Sequence, residues 1–158
     1  LPNRNLMQDR LEQSLRQSER TQKPFSVLFL DLDGFKQIND DFGHNYGDEL
    51  LVQASQRMKT LLRRSDTVCR HGGDEFVVIL PTAVAVGSAL AVARKLVVQL
   101  AKPYKVKKQQ LEVSVSIGVA MYPAHGTDVQ KLLRSADKAM YAAKAAGKND
   151  VRLASTDG

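Results

Sequence analysis

At 158 residues the chain has the length of one domain, long enough to bury roughly 70% of its unfolded surface. Its apolar share of 43% and charged share of 25% exclude disorder, a collagen-like repeat and a coiled coil. Against 17 acidic residues stand 23 basic ones, a net charge of +6; this suits either a solvated basic surface or an anionic partner such as nucleic acid, a membrane surface or a nucleotide phosphate. No apolar run reaches the ~18 residues of a membrane span, and Leu1-Pro2-Asn3-Arg4 carries no signal-peptide pattern. The lone Cys69 reads as a small core residue of a reducing compartment.

In chain order, Leu6, Leu11 and Leu15 share one face of a polar segment, predicting a helix that ends before Pro24. Phe25 to Leu30 is a nearly unbroken apolar run, expected of a central strand covered on both faces, and it leads into Asp31-Leu32-Asp33-Gly34. A short helix follows. Leu50, Leu51, Ala54, Met58, Leu61 and Leu62 then predict a longer helix over 46–63. Thr67–His71 and Phe76–Leu80 flank Gly72-Gly73 and read as a hairpin. Ala83–Leu100 is an apolar helix stopped before Pro103. Tyr104–Val106 pairs back across a turn onto a strand running from Leu111 to Val119, whose alternation predicts one buried face. Val129 to Ala143 forms a last amphipathic helix closed by Gly147, and Val151–Leu153 adds an edge strand. A hairpin in mid-chain excludes a purely parallel sheet. The expected class is α/β: a sandwich with a central mixed, mostly antiparallel sheet flanked by helices.

Asp31 and Asp33 alternate with Leu32, so both carboxylates lie on one face at the end of an apolar strand. Such charges need compensation. A divalent cation with oxygen ligands supplies it; capping of the helix after Gly34 is an equal alternative for Asp33. Gly72-Gly73-Asp74-Glu75 is either a plain turn with solvated acids or, beside Asp31, the second and third carboxyls of a two-metal phosphoryl-transfer site. Asn39 and Asp48 have the groups to read a guanine edge, although spacing alone better fits Asn45 and Asp48 as helix caps. Lys144 and Lys148 suit a helix C-terminus or a clamp on triphosphate oxygens. No Walker loop, no Gly-x-Gly-x-x-Gly and no nucleophile elbow is present, which leaves hydrolase and dehydrogenase readings without residues.

Taken together, Leu1-Pro2-Asn3-Arg4, Asp31 to Asp40, Gly43 to Asp48, Gly72-Gly73-Asp74-Glu75-Phe76, Ser116 to Ala120, Ala136 to Tyr141 and Gly147-Lys148-Asn149 resemble the GGDEF family, the diguanylate cyclases, over nearly the whole chain. The resemblance implies a fold like that of nucleotidyl cyclases and polymerase palms. It implies condensation of two GTP into cyclic di-GMP with release of two pyrophosphates. Mg²⁺, two ions per site with Mn²⁺ able to substitute, would be held by Asp31, the Leu32 carbonyl and Asp74. Asp74 or Glu75 would accept the proton. Guanine would be read by Asn39 and Asp48 with His44 nearby. The backbone at Gly34, Phe35 and Lys36 would cradle phosphates, and Lys144 and Lys148 would hold the terminal ones. Many relatives carry arginine where Lys148 stands, so a fork becomes a point charge here. Arg63 and Asp66, an Arg-x-x-Asp ahead of Gly72, would form a product-inhibition site, with Arg94 and Lys95 competing for a third place in it.

Since each domain would bind one GTP, turnover requires a homodimer. The resemblance further implies that residues 1–158 are a single domain excised from a longer cytoplasmic protein with an upstream sensor, with no nucleic-acid partner and no membrane segment in this stretch. The alternative function is a non-catalytic module that binds GTP or cyclic di-GMP. A nonspecific nucleic-acid binder is motivated by charge alone, and the absence of tryptophan and of aromatics within the basic stretches argues against a stacking platform.

Overall fold

A computed structural model describes residues 4–156. The chain order is α1 (Arg4–Thr21), β1 (Phe25–Asp33), α2 (Phe35–Phe42), α3 (His44–Leu61), β2 (Thr67–Gly72), β3 (Glu75–Leu80), α4 (Val86–Leu100), β4 (Tyr104–Val106), β5 (Gln109–Leu111), β6 (Ser114–Tyr122), α5 (Val129–Ala145) and β7 (Asp150–Leu153). Five strands form the main sheet in the order β2-β3-β1-β6-β7, and β4-β5 stand apart as a small hairpin. The β2/β3, β3/β1 and β1/β6 pairs are antiparallel and β6/β7 is parallel, so the sheet is mixed and mostly antiparallel, as expected.

Strand alternation sorts β1 onto two cores. Leu28, Leu30 and Leu32 join Phe76, Val78 and Leu80 beneath α2, α3 and α4; Phe25, Val27 and Phe29 join Cys69, Val77 and Ile79 beneath α1 and α5. The central strand is thus the apolar run that burial on both faces demands. Gly118 sets how closely α5 sits on β6: a Cβ there would run into the Ala136 carbonyl and the Met140 amide. Among the described residues no helix is long and apolar enough to cross a membrane.

Several expectations shift. The buried face of α1 is Met7, Leu11, Leu15 and Ser18, while Leu6 is exposed, because the helix turns its i, i+4, i+8 row toward the sheet. α3 begins at His44, directly after Gly43, whose φ of 96° breaks the chain between two helices. α4 begins at Val86, since Ala83 closes a turn onto the Leu80 carbonyl instead. The long strand expected from Leu111 is two strands, Leu111 ending the small hairpin and Ser114 starting the main sheet. β6 is buried on both faces, not one: its small row of Ser116, Gly118 and Ala120 lies under α5 and its branched row faces the other core. Leu1-Pro2-Asn3 lie outside the described residues.

Candidate active site

β1 is the centre of the sheet, and its C-terminal end carries the acidic residues. Asp31 lies directly across from Glu75 on β3 and from Ser116 on β6, so the Asp31 and Glu75 side chains share a face. The turn between β2 and β3 is Gly73-Asp74, with Gly73 at a φ of +33°, a conformation that favours glycine. The Asp74 carbonyl accepts the Leu32 amide at 3.2 Å, which fixes the turn beside the end of β1. The carboxyls of Asp31, Asp74 and Glu75, far apart in the chain, are therefore neighbours.

Their electrostatics are strained. Asp31 Oδ1 is buried with no hydrogen-bond partner. Burial, followed by the charge of Asp74, pushes the Asp31 carboxyl up to about 7, with Lys144 opposing. Burial also raises Glu75, reinforced by Asp137 and Asp74. Among the described residues no three His, Cys, Asp or Glu side chains form a metal-holding group. The donor set that the resemblance implies is two carboxylates and the Leu32 backbone carbonyl. That set fits Mg²⁺, which takes few protein oxygens and completes its shell with water and phosphate. The unpartnered Asp31 oxygen is the atom such a cation would satisfy.

Asp33 has the opposite environment. Its Oδ2 accepts from Ser114 Oγ at 2.7 Å and from the Asn149 amide at 3.1 Å; its Oδ1 accepts from Ser116 Oγ at 2.8 Å and Lys144 Nζ at 2.9 Å. Burial opposes ionisation here, but these donors together hold the carboxyl below its ordinary value. Asp33 therefore neither caps α2, whose N-cap is Gly34 without any side-chain cap, nor has oxygens left over for a cation. It ties β1 to β6, to α5 and to the loop after α5. That loop is a Schellman turn: the Lys148 amide bonds the Ala143 carbonyl at 3.0 Å, the Gly147 amide bonds that of Lys144 at 3.3 Å, and Gly147 has a φ of 125°.

Lys144 bridges the two aspartates, 2.9 Å from Asp33 and 3.5 Å from Asp31. Burial works against its charge, and the two carboxylates more than restore it. Lys148 is exposed one turn beyond. Gly34, at a φ of 85°, opens α2, and the Phe35 and Lys36 amides belong to the first helical turn, whose N–H groups have no partner within the helix. Phe35 is buried and anchors that turn, and Lys36 is exposed. Asn39 on α2 packs its Oδ1 against Gly47 on α3, where a Cβ would collide with it; that oxygen is buried without a partner. Asp48 and His44 are exposed on α3. Neither Asn45 nor Asp48 caps α3, whose N-cap is Gly43.

Arg63 and Asp66 close a local turn. Asp66 Oδ2 accepts the Arg63 amide at 2.8 Å, and the Asp66 amide bonds the Arg63 carbonyl at 3.0 Å. They line a cavity of about 460 Å³ with Arg10, Lys59 and Arg64. Burial raises the Asp66 carboxyl while Arg63 opposes it. Arg94 and Lys95 are exposed on α4, outside that lining.

Sequence reasoning missed Ser114 and Ser116, and assigned no role to Arg4, His71 or Asp137. His71 Nδ1 and Asp137 Oδ1 are both buried without partners on the α1/α5 side of the hairpin. The alternation of Ser114 and Ser116 with valine and isoleucine was the available signal: two hydroxyls on one face of an otherwise apolar strand need an acceptor.

A central antiparallel sheet with carboxylates gathered at the end of its middle strand, next to a glycine-opened helix, defines a nucleotidyl-cyclase-like domain. The profile described as "Diguanylate cyclase, GGDEF domain" matches residues 1–150, and the chain belongs to that family. It is 45% identical over 149 residues to the bifunctional diguanylate cyclase/cyclic di-GMP phosphodiesterase MucR of Pseudomonas aeruginosa, covering 94% of this chain but 22% of that relative. The crystal structure of the GGDEF domain of TpbB from P. aeruginosa superposes with a TM-score of 0.96 at 39% identity, covering 98% of this chain and 97% of that one. The GGDEF domain of DgcB from Caulobacter crescentus, solved in complex with c-di-GMP, matches with a TM-score of 0.89 at 25% identity, covering 100% and 92%.

Proposed function

We propose that the domain is a diguanylate cyclase, joining two GTP into cyclic di-GMP and two pyrophosphates. The buried, unpartnered Oδ1 of Asp31 beside Asp74 carries the reading, because a fold tolerates such an atom where a ligand completes it. In this reading Asp31, the Leu32 carbonyl and Asp74 hold Mg²⁺, with Mn²⁺ as a substitute; bound there, the cations, two per site, would neutralise charge growing on the reacting phosphate and on the leaving pyrophosphate.

The rest belongs to the chain. The guanine O6 accepts from Asn39 Nδ2, Asp48 accepts from the ring and exocyclic N–H groups, and His44 flanks the base. The amides at Gly34, Phe35 and Lys36 meet the phosphates at the positive end of α2. Lys144, steered by Asp33, and Lys148 face the terminal phosphates. The 3′-hydroxyl of one GTP attacks the α-phosphorus of the other, its proton passes to a carboxylate, and pyrophosphate leaves. Glu75 suits that acceptor role better than an ordinary carboxyl, because its raised pKa makes it a stronger base. Both bonds form by the same step when two domains face each other about a two-fold axis, so one domain binds GTP and two are needed for turnover. Product would bind at the Arg63–Asp66 cavity, Arg63 forking onto guanine O6 and N7; the related DgcB domain was solved in complex with c-di-GMP, which supports binding of that product by a domain of this fold. The relative MucR is far longer than the stretch matched here, which fits this domain being the catalytic part of a larger protein; an upstream sensor and a cytoplasmic location belong to the same proposal.

The test is cyclic di-GMP formation from GTP and Mg²⁺ as a function of protein concentration. Activity should rise faster than linearly and vanish in Asp74→Ala. A verified dimer that makes no product refutes the reading. One alternative is a non-catalytic GTP- or cyclic di-GMP-binding module, favoured by 36% identity over 148 residues to PdeR of Escherichia coli, which is named a cyclic di-GMP phosphodiesterase and not a cyclase; calorimetry would then give tight GTP binding without turnover.

A further inference from the structure

The β2/β3 hairpin is irregular just where it matters. The ladder runs in register from Thr67↔Ile79 to Arg70↔Phe76, then shifts, so that Gly72 pairs with Glu75 and His71 has no opposite number. This is a β-bulge; an extra residue of this kind bends the strand, re-aims the residues beyond it and leaves backbone groups outside the ladder. Just beyond the bulge lie Gly73 and Asp74, the turn that returns the chain to Glu75, which pairs with Asp31 in the unbroken β1/β3 register. The His71 carbonyl finds its partner outside the sheet, accepting from Arg4 Nε at 2.6 Å. The same guanidinium lies against the next residue: a Cβ on Gly72 would meet Arg4 Nη2 at 3.4 Å. Arg4 is the first residue of α1, and Met7, Leu11 and Leu15 fasten that helix to the sheet in one cluster with Cys69 and Val77 of the hairpin strands. On the other side of the hairpin Arg70 Nε donates to the Gly73 carbonyl at 2.9 Å, so the turn is held from both flanks.

We propose that Arg4 is a positioning residue for the reaction: it stabilises the His71 bulge and thereby holds Asp74 and Glu75 in working register with Asp31. It touches neither nucleotide nor cation and acts through the backbone of the hairpin. The proposal rests on the diguanylate cyclase reading, and it extends that reading to a residue 70 positions before Asp74, on the α1/α5 face of the sheet that the Asp31 and Glu75 side chains share. A point charge alone does not replace it, because Nε and Nη2 face two successive residues, a fork that lysine lacks.

The experiment compares wild-type protein with Arg4→Ala, Arg4→Lys and Arg4→Gln, using Leu11→Val on the same helix as a stability control. Five quantities are read: kcat and KM for GTP, Mn²⁺ affinity by electron paramagnetic resonance with a non-hydrolysable GTP analogue, amide exchange at 71–75, and Tm. Arg4→Ala is expected to lower kcat by about 10–100-fold, the range a displacement near 1 Å produces. KM for GTP should stay within about twofold, Mn²⁺ binding should weaken, and exchange at 71–75 should accelerate locally. Arg4→Lys should recover only part of kcat. Leu11→Val should lower Tm without changing kcat per folded molecule. Wild-type kcat with unchanged exchange in Arg4→Ala, or equal kcat losses in Arg4→Ala and Leu11→Val at matched Tm, would overturn the proposal. If Arg4→Ala does not fold, Arg4→Gln decides by the same criteria. If the wild type itself makes no product, the cyclase reading has failed; the exchange and Mn²⁺ arms still decide the role of Arg4.

Discussion

Asp31 and Asp33 stand two residues apart on one face of β1, share Lys144, and live in opposite circumstances. Asp33 is surrounded by donors from β6, α5 and the loop beyond it, and its carboxyl is held low. Asp31 has an oxygen with no partner, a second carboxylate at its side and a pKa pushed up to about 7. One carboxylate is built into the fold, and the other keeps an unmatched oxygen that the proposed cation would complete. Identical side chains on one strand thus separate structure from function, and the separation depends on the number of donors within reach.

The sharpest way to break that contrast is to exchange the two losses. Asp31→Asn should lower cyclase activity by about 10³-fold or more, worth roughly 4 kcal/mol of barrier, while leaving the metal-free protein as stable as the wild type or more so; product formation and Tm read the two effects. Asp33→Ala should destabilise the fold by about 3 kcal/mol, because it leaves two buried hydroxyls, an amide and half of an ion pair unmatched; denaturant unfolding measures it. Ser116→Ala removes one bond to that charge from a fully buried hydroxyl and should cost about 1.5–3 kcal/mol. Equal stability losses in Asp31→Asn and Asp33→Ala would erase the distinction.

The pH dependence should separate them again, with opposite signs. Asp31 has a folded pKa above its unfolded one, so between about pH 4 and 7 the folded state binds the extra proton and this group's contribution to stability falls as pH rises. The Tm gap between Asp31→Asn and wild type should therefore widen from pH 5 to 8 without metal, and Mn²⁺ affinity should rise through about pH 7 as the proton is displaced. Asp33 has a depressed pKa; its contribution is full above the ordinary carboxylate range and is lost as pH falls through its lowered value. The smallest expected effect lies at the loop that Asp33 secures. Gly147→Ala places a Cβ at a φ of 125° and should cost about 1–2 kcal/mol, with little change in activity per folded molecule.

Much of this site is legible in the sequence. Alternation places Asp31 and Asp33 on one face, and Gly72-Gly73 announces the hairpin that delivers Asp74 and Glu75. The two-sided burial of β1 follows from its apolar run. The short-range rules fail where partners are remote. Ser114 and Ser116 reach Asp33 across 81 and 83 positions, and Arg4 reaches His71 across 67; no local periodicity carries such a pairing. The break between β5 and β6 is hidden for a related reason, since Leu111 and Val113 are buried alike and only strand pairing separates them.

Residue types and spacing alone determined most of the elements, their order and the acidic character of the strand end, because helices, strands and tight turns answer to neighbours a few positions away; the ordered motifs carried the resemblance to the family. Which aspartate is saturated and which is left open, and which arginine supports the bulge, were decided only when the sheet order β2-β3-β1-β6-β7 brought distant donors to particular oxygens. Hydrogen bonds act over about 3 Å of space whatever the distance along the chain, so their allocation is a property of the assembled fold.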